Sequence, residues 1–119
     1  MYLMNAEEIR AYCIEKKGVS ESFPFDNETL VFKVLDKMFL LMSLEQQPVS
    51  MNVKCDPEHA LYLRERYPGN VLPGYHMNKA HWNTVIADQH LSSDLLKGFI
   101  DDSYTLVVKS LPKSKQLTL

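Results

Sequence analysis

The segment from Val49 to Cys55 places the strongest constraint on the fold, because apolar and polar side chains alternate strictly along it. This alternation is typical of a strand with one face on a core and the other towards water. Asp56-Pro57 follows at once and supplies an N-cap and a proline at the first helical position, which predicts a helix to about Arg66. A one-sided strand that leads into a helix indicates an α+β fold with helices on one face of a sheet.

Two more helical segments are predicted, one on each side of the strands. Asn5 and Glu8 have the spacing of a capping box and predict a first helix over about residues 6–17. Towards the other end of the chain, Ser92-Ser93-Asp94 caps a segment in which apolar residues recur every three to four positions, until Pro112 ends it. Asp101-Asp102-Ser103 is expected to split that segment in two, since these residues favour caps.

The remaining β-prone segments predict an antiparallel sheet of about five strands. Residues 30–44 form a hairpin around Asp36-Lys37, a two-residue turn that lacks the favoured glycine. Residues 71–72 and 80–86 supply the last strands, whereas residues 19–25 are expected to form a loop.

The sequence also predicts how the 19–25 loop and the hairpin pack. Phe23 and Phe25 are expected to pin the 19–25 loop to the core. The hairpin is apolar on both faces, so its second face is expected to be covered either by the C-terminal helix or by a second subunit. The expected grouping places Phe32, Val34, Phe39 and Leu41 on one face and Val31, Leu40 and Met42 on the other.

Size and composition indicate a single domain over residues 1–119. The chain is 45% hydrophobic and 24% charged, as in an ordinary globular protein. The longest apolar run, from Met38 to Met42, is far shorter than the ~20 residues of a membrane span. The first residues do not read as a signal peptide, so a cytoplasmic protein with no membrane partner is expected.

The densest group of polar and aromatic residues lies in residues 73–84, which contain two histidines, two asparagines, a lysine, a tyrosine and the single tryptophan. A loop that feeds a short strand can present such groups from a fixed scaffold. Trp82 is interpreted as a core anchor, with a stacking platform as the alternative. His81 and Asn83 would then face outward beside Asn52 and Lys54. The candidate contact residues are Lys54, Tyr75, His76, Asn78, Lys79, His81 and Asn83.

Metal and cofactor sites are not expected. Cys13 and Cys55 are not in a C-x-x-C pair and are interpreted as buried thiols. His76 and His81 have a spacing that matches no helical ligand pair, and no nearby cysteine or carboxylate completes a set.

The sequence contains a set of short motifs: Phe23-Pro24-Phe25, Lys37-Met38-Phe39, Val53-Lys54-Cys55-Asp56-Pro57-Glu58, Tyr67-Pro68-Gly69, Pro73-Gly74-Tyr75-His76-Met77-Asn78-Lys79, His81-Trp82-Asn83-Thr84-Val85 and Ser103-Tyr104. Together these motifs resemble the MmcQ/YjbR family of small bacterial proteins. The similarity extends over most of the chain, and the ordered string from Tyr67 to Val85 makes it specific. The resemblance implies a fold similar to bacterial frataxin, also described as a double wing, and a description as DNA-binding. Asp36 stands at a hairpin-turn position where relatives tend to have glycine.

The expected function is non-enzymatic binding. The sequence has no Gly-rich phosphate loop, no G-x-S-x-G and no H-E-x-x-H motif. With 13 Lys+Arg against 15 Asp+Glu, any DNA binding is expected to be weak and to use the 73–83 loop and adjacent strands. The alternative is an adaptor for a small molecule or a protein partner that uses the same surface. A contiguous positive face would favour nucleic acid, and a concave, partly apolar pocket would favour a small ligand.

Overall fold

The computed structural model describes residues 4–119, which form an antiparallel sheet with helices packed on one face. No helix within this range is both long and apolar enough to cross a membrane. The strands are β1 (Val19–Ser22), β2 (Thr29–Val34), β3 (Lys37–Ser43), β4 (Ser50–Lys54), β5 (Val71–Pro73) and β6 (Trp82–Ile86). The helices are α1 (Ala6–Ile14), α2 (Pro57–Arg66), α3 (Ser93–Ser110) and the short α4 (Lys113–Gln116).

The sheet has the order β1-β2-β3-β4-β6-β5, and every pairing is antiparallel. One face carries the main core, to which α1, α2 and α3 all contribute buried apolar side chains. We call the opposite side of the sheet the open face. It carries a small separate cluster of Val31, Leu41 and Trp82, against which Met38 and Met77 pack. The α+β class and antiparallel sheet predicted from the sequence are therefore confirmed.

The prediction that residues 19–25 form a loop is wrong for its first half. Val19–Ser22 is an edge strand that pairs with β2, so the described residues contain six strands instead of about five. Its sequence is short and mostly polar, and backbone pairing with β2 stabilises it without an apolar face of its own. The following aromatic side chains do not pin the segment to the core, because Phe23 is 46% exposed and Phe25 is 65% exposed.

The predicted hairpin is present, but its turn consists of Leu35-Asp36. Both residues have positive φ values, 46° and 72°, as a type I′ turn requires. Asp36 therefore occupies a conformation that glycine adopts more readily.

A β-bulge changes which hairpin residues share a face. Val34 pairs with Lys37 and Lys33 with Met38, but the next pair is Phe32 with Leu40, so Phe39 is the extra residue. The bulge shifts β3 by one position, and the predicted grouping is therefore wrong beyond it. Leu41 joins Val31 on the open face, and Leu40 and Met42 join the main core with Phe32. Here the open face is covered by the cluster around Trp82 and by Met77 of the connection from β5 to β6, and not by a helix.

The long C-terminal helix is not split. α3 runs without a break from Ser93 to Ser110, and its Asp101 and Ser103 bond to other elements instead of capping a helix. Asp101 accepts hydrogen bonds from the Tyr12 hydroxyl at 2.8 and 2.9 Å, and Lys16 also contacts it. The Ser103 hydroxyl accepts the N–H of Lys54 at 2.8 Å and donates to the Phe39 carbonyl.

Candidate functional site

The open face holds a groove of about 740 Å³. Its floor is formed by side chains of the central strands, and connecting segments form its two banks. One bank is the connection from β1 to β2, and the other is the connection from β5 to β6. The lining residues are Phe25, Asp26, Thr29, Met38, Leu41, Ser43, Gln46, Ser50, Asn52, Leu72, Pro73, Tyr75, His76, Met77, Thr84 and Ile86.

The register of the strands explains why these floor residues share a face. Directly opposed residues of neighbouring strands project to the same side of a sheet. Asn52 lies opposite both Leu41 on β3 and Thr84 on β6. Ser43 and Ser50 form another opposed pair, which adds two hydroxyl groups to the floor. The floor thus combines aliphatic surface with uncharged hydrogen-bonding groups.

Hydrogen bonds to the floor hold the start of the β5–β6 connection in place. The N–H of Tyr75 donates to the Thr84 hydroxyl at 2.9 Å, and the Asn52 side-chain amide donates to the Tyr75 carbonyl at 3.3 Å. The Thr84 hydroxyl in turn donates to the Asn52 side-chain oxygen. This bank of the groove is therefore preformed and fixed to two strands.

Arg64 of α2 fastens the other end of the connection. Its Nε donates to the Asn83 Oδ1 at 2.8 Å, and its Nη2 donates to the backbone carbonyls of Lys79 and Trp82. One guanidinium thereby joins α2, the connection and β6, which suits its rigid fork of donors. Arg64 is not among the predicted site residues, because a half-buried arginine on a helix carries no local signal of such a contact.

Tyr75 and His76 are the predicted site residues that line the groove. Tyr75 is 69% exposed, and its ring centroid lies 4.0 Å from that of His76. His76 has a positive φ of 58°, which turns the chain at this point. Both rings belong to the connection that the Asn52–Thr84 bonds hold.

Two other predicted residues serve the loop itself. The Asn78 side-chain oxygen accepts the N–H of Ala80 at 2.9 Å, and the Lys79 ammonium donates to the Gly74 carbonyl at 3.1 Å. Both side chains lie outside the groove lining. They shape the bank rather than the floor.

The expectation that Asn83 faces outward beside His81 is wrong. Asn83 is only 1% exposed and lies on the helix side of β6, where its amide also donates to the Ala60 carbonyl at 3.4 Å. Trp82 projects from the same strand to the open face, yet it is also buried, because Val31 and Leu41 pack against it. Both faces of the sheet are covered at this point, so alternation does not separate buried from exposed residues.

Lys54 and His81 lie close together in the backbone at the edge of the β4–β6 pairing. Lys54 is directly opposite Trp82 in the β4–β6 pairing, and the N–H of Cys55 donates to the His81 carbonyl at 2.8 Å. Neither residue lines the groove. The seven predicted residues therefore fall into a groove pair, a loop pair, this edge pair and the buried Asn83.

The groove carries little charge. Asp26 is the one carboxylate in its lining, which includes no lysine or arginine among residues 4–119. Backbone N–H groups of Glu28 and Thr29 donate to the Asp26 carboxylate at 2.9 and 2.7 Å and lower its pKa. Asp26 is therefore ionised at neutral pH.

Both cysteines are buried and reduced, as predicted. Burial raises the pKa of Cys13 to about 12 and that of Cys55 to about 11, so neither thiol is a ready nucleophile. Within the part of the chain that the structure describes, no three His, Cys, Asp or Glu residues are placed to hold a metal ion.

Comparison with known proteins gives one consistent result. A family model described as YjbR matches residues 14–106. The chain is 38% identical to a protein of Escherichia coli O157:H7 named uncharacterized protein YbdF, over 92% of this chain and 89% of that one. It is 33% identical to the uncharacterized protein YjbR of Escherichia coli strain K12, over 98% of both chains.

Solved structures show the same relationship. The crystal structure of Deinococcus radiodurans protein DR2400, with a DUF419 domain, superposes with a TM-score of 0.91 at 39% identity and covers 98% of this chain and 88% of that one. A Pseudomonas syringae protein superposes with a TM-score of 0.74 at 26% identity, covering 87% and 98% of the two chains.

Proposed function

The chain belongs to the YjbR family, and from that premise we propose that it is a non-catalytic binding protein that takes a small molecule into the groove on its open face. We also propose that the protein is cytoplasmic and that its fold is similar to bacterial frataxin, the arrangement described as a double wing. A segment of a protein partner is the neighbouring possibility, since it would use the same surface.

The observation that carries the proposal is a preformed, concave and partly apolar groove. Its volume of about 740 Å³ lies within the usual range of small-molecule sites, roughly 300–1,000 Å³. Such sites combine apolar walls with a few placed polar groups. Leu41, Met77 and Ile86 supply the apolar walls, and Asn52 and Thr84 supply polar groups that are already fixed. A preformed site binds without the cost of ordering its walls.

Titration of ¹⁵N-labelled protein with indole, 2-naphthol, cyclohexanol and octanoate, followed by amide chemical shifts, tests the proposal. We expect at least one probe to shift the amide signals of Ser50, Asn52 and Thr84 in a saturable way. Ser50→Phe places a ring on the groove floor and should abolish these shifts.

Thr105→Phe is the matched control, because it adds the same ring to an exposed position of α3 on the other side of the sheet. It should leave the shifts unchanged. Saturable binding that survives Ser50→Phe, or no saturable shift in the groove with any probe, would overturn the proposal.

Weak DNA binding is the second candidate, and one observation favours it. Lys54 and His81 are close in the backbone at the edge of the β4–β6 pairing, and neither residue lines the groove. Two to four phosphate contacts would give a dissociation constant of about 10⁻⁴ to 10⁻⁶ M and a salt slope of roughly −2 to −4. Lys79 lies nearby on the loop, although its ammonium already contacts a backbone carbonyl.

Titration of labelled duplex and single-stranded DNA at several salt concentrations tests this second candidate. Lys54→Gln and Lys79→Gln should each reduce the salt slope by about one and weaken all sequences alike. Lys115→Gln removes the same charge from α4 and is the control. No saturable binding of either DNA form at low salt would exclude this candidate and leave the small-molecule proposal unaffected.

A further inference from the structure

The dimensions of the groove limit the shape of its occupant. Its lining includes residues of five strands that are consecutive in the sheet, β2, β3, β4, β6 and β5. Neighbouring strands lie about 4.8 Å apart, so four steps across the sheet span about 19 Å. A broad, shallow floor of this width has room for two or three fused rings lying flat on it.

Exposed aromatic rings stand on both banks. Phe25 comes from the β1–β2 connection and is 65% exposed, and Tyr75 comes from the β5–β6 connection and is 69% exposed. Large apolar side chains are normally buried, so two exposed rings that line one groove are unusual. Offset stacking or edge contacts with a flat aromatic partner would use both of them.

The polar groups of the groove favour an uncharged partner. Ser43 and Ser50 contribute hydroxyls that can donate or accept hydrogen bonds, and they face each other on the floor. An anionic ligand would meet the Asp26 carboxylate and, within the described lining, no lysine or arginine to offset it. Burial of an unpaired charge is costly, whereas an amide or hydroxyl can bond to the serine hydroxyls.

We propose that the groove takes a flat, uncharged aromatic compound of two or three fused rings that carries a hydrogen-bonding group such as an amide. The rings lie on the aliphatic floor and contact Phe25 and Tyr75, and the polar group bonds to Ser43 and Ser50. This inference rests on the proposed function and adds the chemical class of the ligand.

Three probes of closely matched shape test the class. They are 2-naphthamide, its saturated analogue decahydronaphthalene-2-carboxamide, and 2-naphthoate, each titrated into ¹⁵N-labelled protein at about pH 8, where carboxylates are ionised. For a fragment of this size we expect 2-naphthamide to bind with a dissociation constant of about 1 mM. Stacking adds about 2- to 10-fold for an aromatic pair, so the saturated amide should bind weaker by that factor. The naphthoate should also bind less tightly than the amide.

Leucine substitutions separate stacking from apolar contact. Phe25→Leu and Tyr75→Leu should each weaken 2-naphthamide by about 2- to 10-fold and change binding of the saturated amide much less. Phe23→Leu and Tyr62→Leu are matched controls, since both side chains are exposed but lie outside the groove. Asp26→Asn removes the carboxylate that would repel an anion, so the dissociation constants of 2-naphthamide and 2-naphthoate should become more similar.

The outcomes are distinguishable. Equal binding of the aromatic and saturated amides in the groove would overturn the aromatic class and leave the groove's binding function standing. Tighter binding of the naphthoate than of the amide would overturn the uncharged class in the same way. Both proposals would be overturned if none of these three probes shifts the amide signals of the groove residues and if indole, 2-naphthol, cyclohexanol and octanoate also fail to shift them.

Discussion

At the scale of single residues, Trp82 joins the two halves of the site. Its side chain packs with Val31 and Leu41 on the open face, while its backbone carbonyl accepts the Gly74 N–H at 2.9 Å. The same carbonyl also accepts from Arg64. The ring therefore anchors β6, and the adjoining backbone holds both ends of the connection that forms one bank.

Trp82→Ala should lower the free energy of unfolding by about 3 to 5 kcal/mol, because it empties a large buried aromatic position. Urea unfolding followed by circular dichroism measures the change, and Trp82→Phe should lose less. An unchanged unfolding midpoint together with lost binding of groove probes would show instead that the ring is a ligand platform.

Gly74 occupies a position without room for a side chain. A Cβ built there would lie 2.8 Å from both the Cβ and the carbonyl oxygen of Trp82. Gly74→Ala should therefore destabilise the protein by about 1 to 3 kcal/mol, as overpacking does. Gly98→Ala is the matched control, because nothing lies within 4 Å of that position in α3.

Gly98→Ala should stabilise the protein by up to about 1 kcal/mol, since alanine favours a helix interior over glycine. Thermal unfolding of the two variants side by side should thus give shifts of opposite sign. Shifts of the same sign would contradict the steric account of Gly74.

At the scale of elements, the contact of α2 with the β5–β6 connection depends on Arg64. Arg64→Lys keeps the charge but cannot reproduce bonds to Asn83, Lys79 and Trp82 together. We expect a loss of about 1 to 3 kcal/mol, because the buried Asn83 oxygen loses its donor.

Amide hydrogen exchange gives the local readout for this prediction. The N–H groups of His81 and Trp82, which bond to the Asn78 carbonyl, should exchange faster in Arg64→Lys. Arg66→Lys is the control, since Arg66 on the same helix lies over the Tyr67 ring and away from the connection. Equal exchange rates in the two variants would contradict the role of Arg64.

Elements with strong local signals were predictable from the sequence. The alternation of apolar and polar residues predicted β4 correctly, and the cap at Asp56-Pro57 predicted α2. The capping box of Asn5 and Glu8 predicted the start of α1. β1 was missed because an edge strand of four residues is defined by pairing with β2 and not by its own pattern. The split of α3 was wrong because Asp101 and Ser103 bond to α1, β3 and β4, which local rules cannot anticipate.

The candidate site was predictable only in part. Its loop was found from residue density, and Tyr75 and His76 do line the groove. The opposite bank at Phe25 was not found, because Phe25 was assigned to the core. Which floor residues share the open face depends on the bulge at Phe39, and one inserted residue exchanges the two faces of β3.

At the scale of the whole molecule, the free energy of unfolding depends on pH in the alkaline range, because the native structure raises the pKa of two thiols and a tyrosine hydroxyl. Burial raises the pKa of Cys13 from 9.0 to about 12 and that of Cys55 from 9.0 to about 11. Burial and the hydrogen bond to Asp101 raise the pKa of Tyr12 from 10.0 to about 12. Between the unfolded and folded pKa values, the unfolded chain has lost protons that the native protein keeps. Stability is therefore full below about pH 9 and falls as the pH rises towards 11 and 12.

Urea unfolding at about pH 7, 9 and 10.5 should show this decline, with a loss of up to about 1.4 kcal/mol per pH unit for each of the two buried thiols. Cys13→Ala removes one of the groups and should make the decline shallower by up to that amount. The same pH dependence in the variant and the wild type would show that Cys13 does not contribute to the decline.

The two edges of the sheet differ in what they offer another chain. β5 has three residues and ends in Pro73. The N–H of the next residue, Gly74, points inward to the Trp82 carbonyl, so an N–H at position 73 would point outward from the sheet edge. Proline has no N–H to offer there. That edge is a poor template for a further strand, whereas β1 at the other edge has no proline. Association by strand addition would therefore join two chains through their β1 edges and stop there, so that this route leads to a closed pair and not to a fibril.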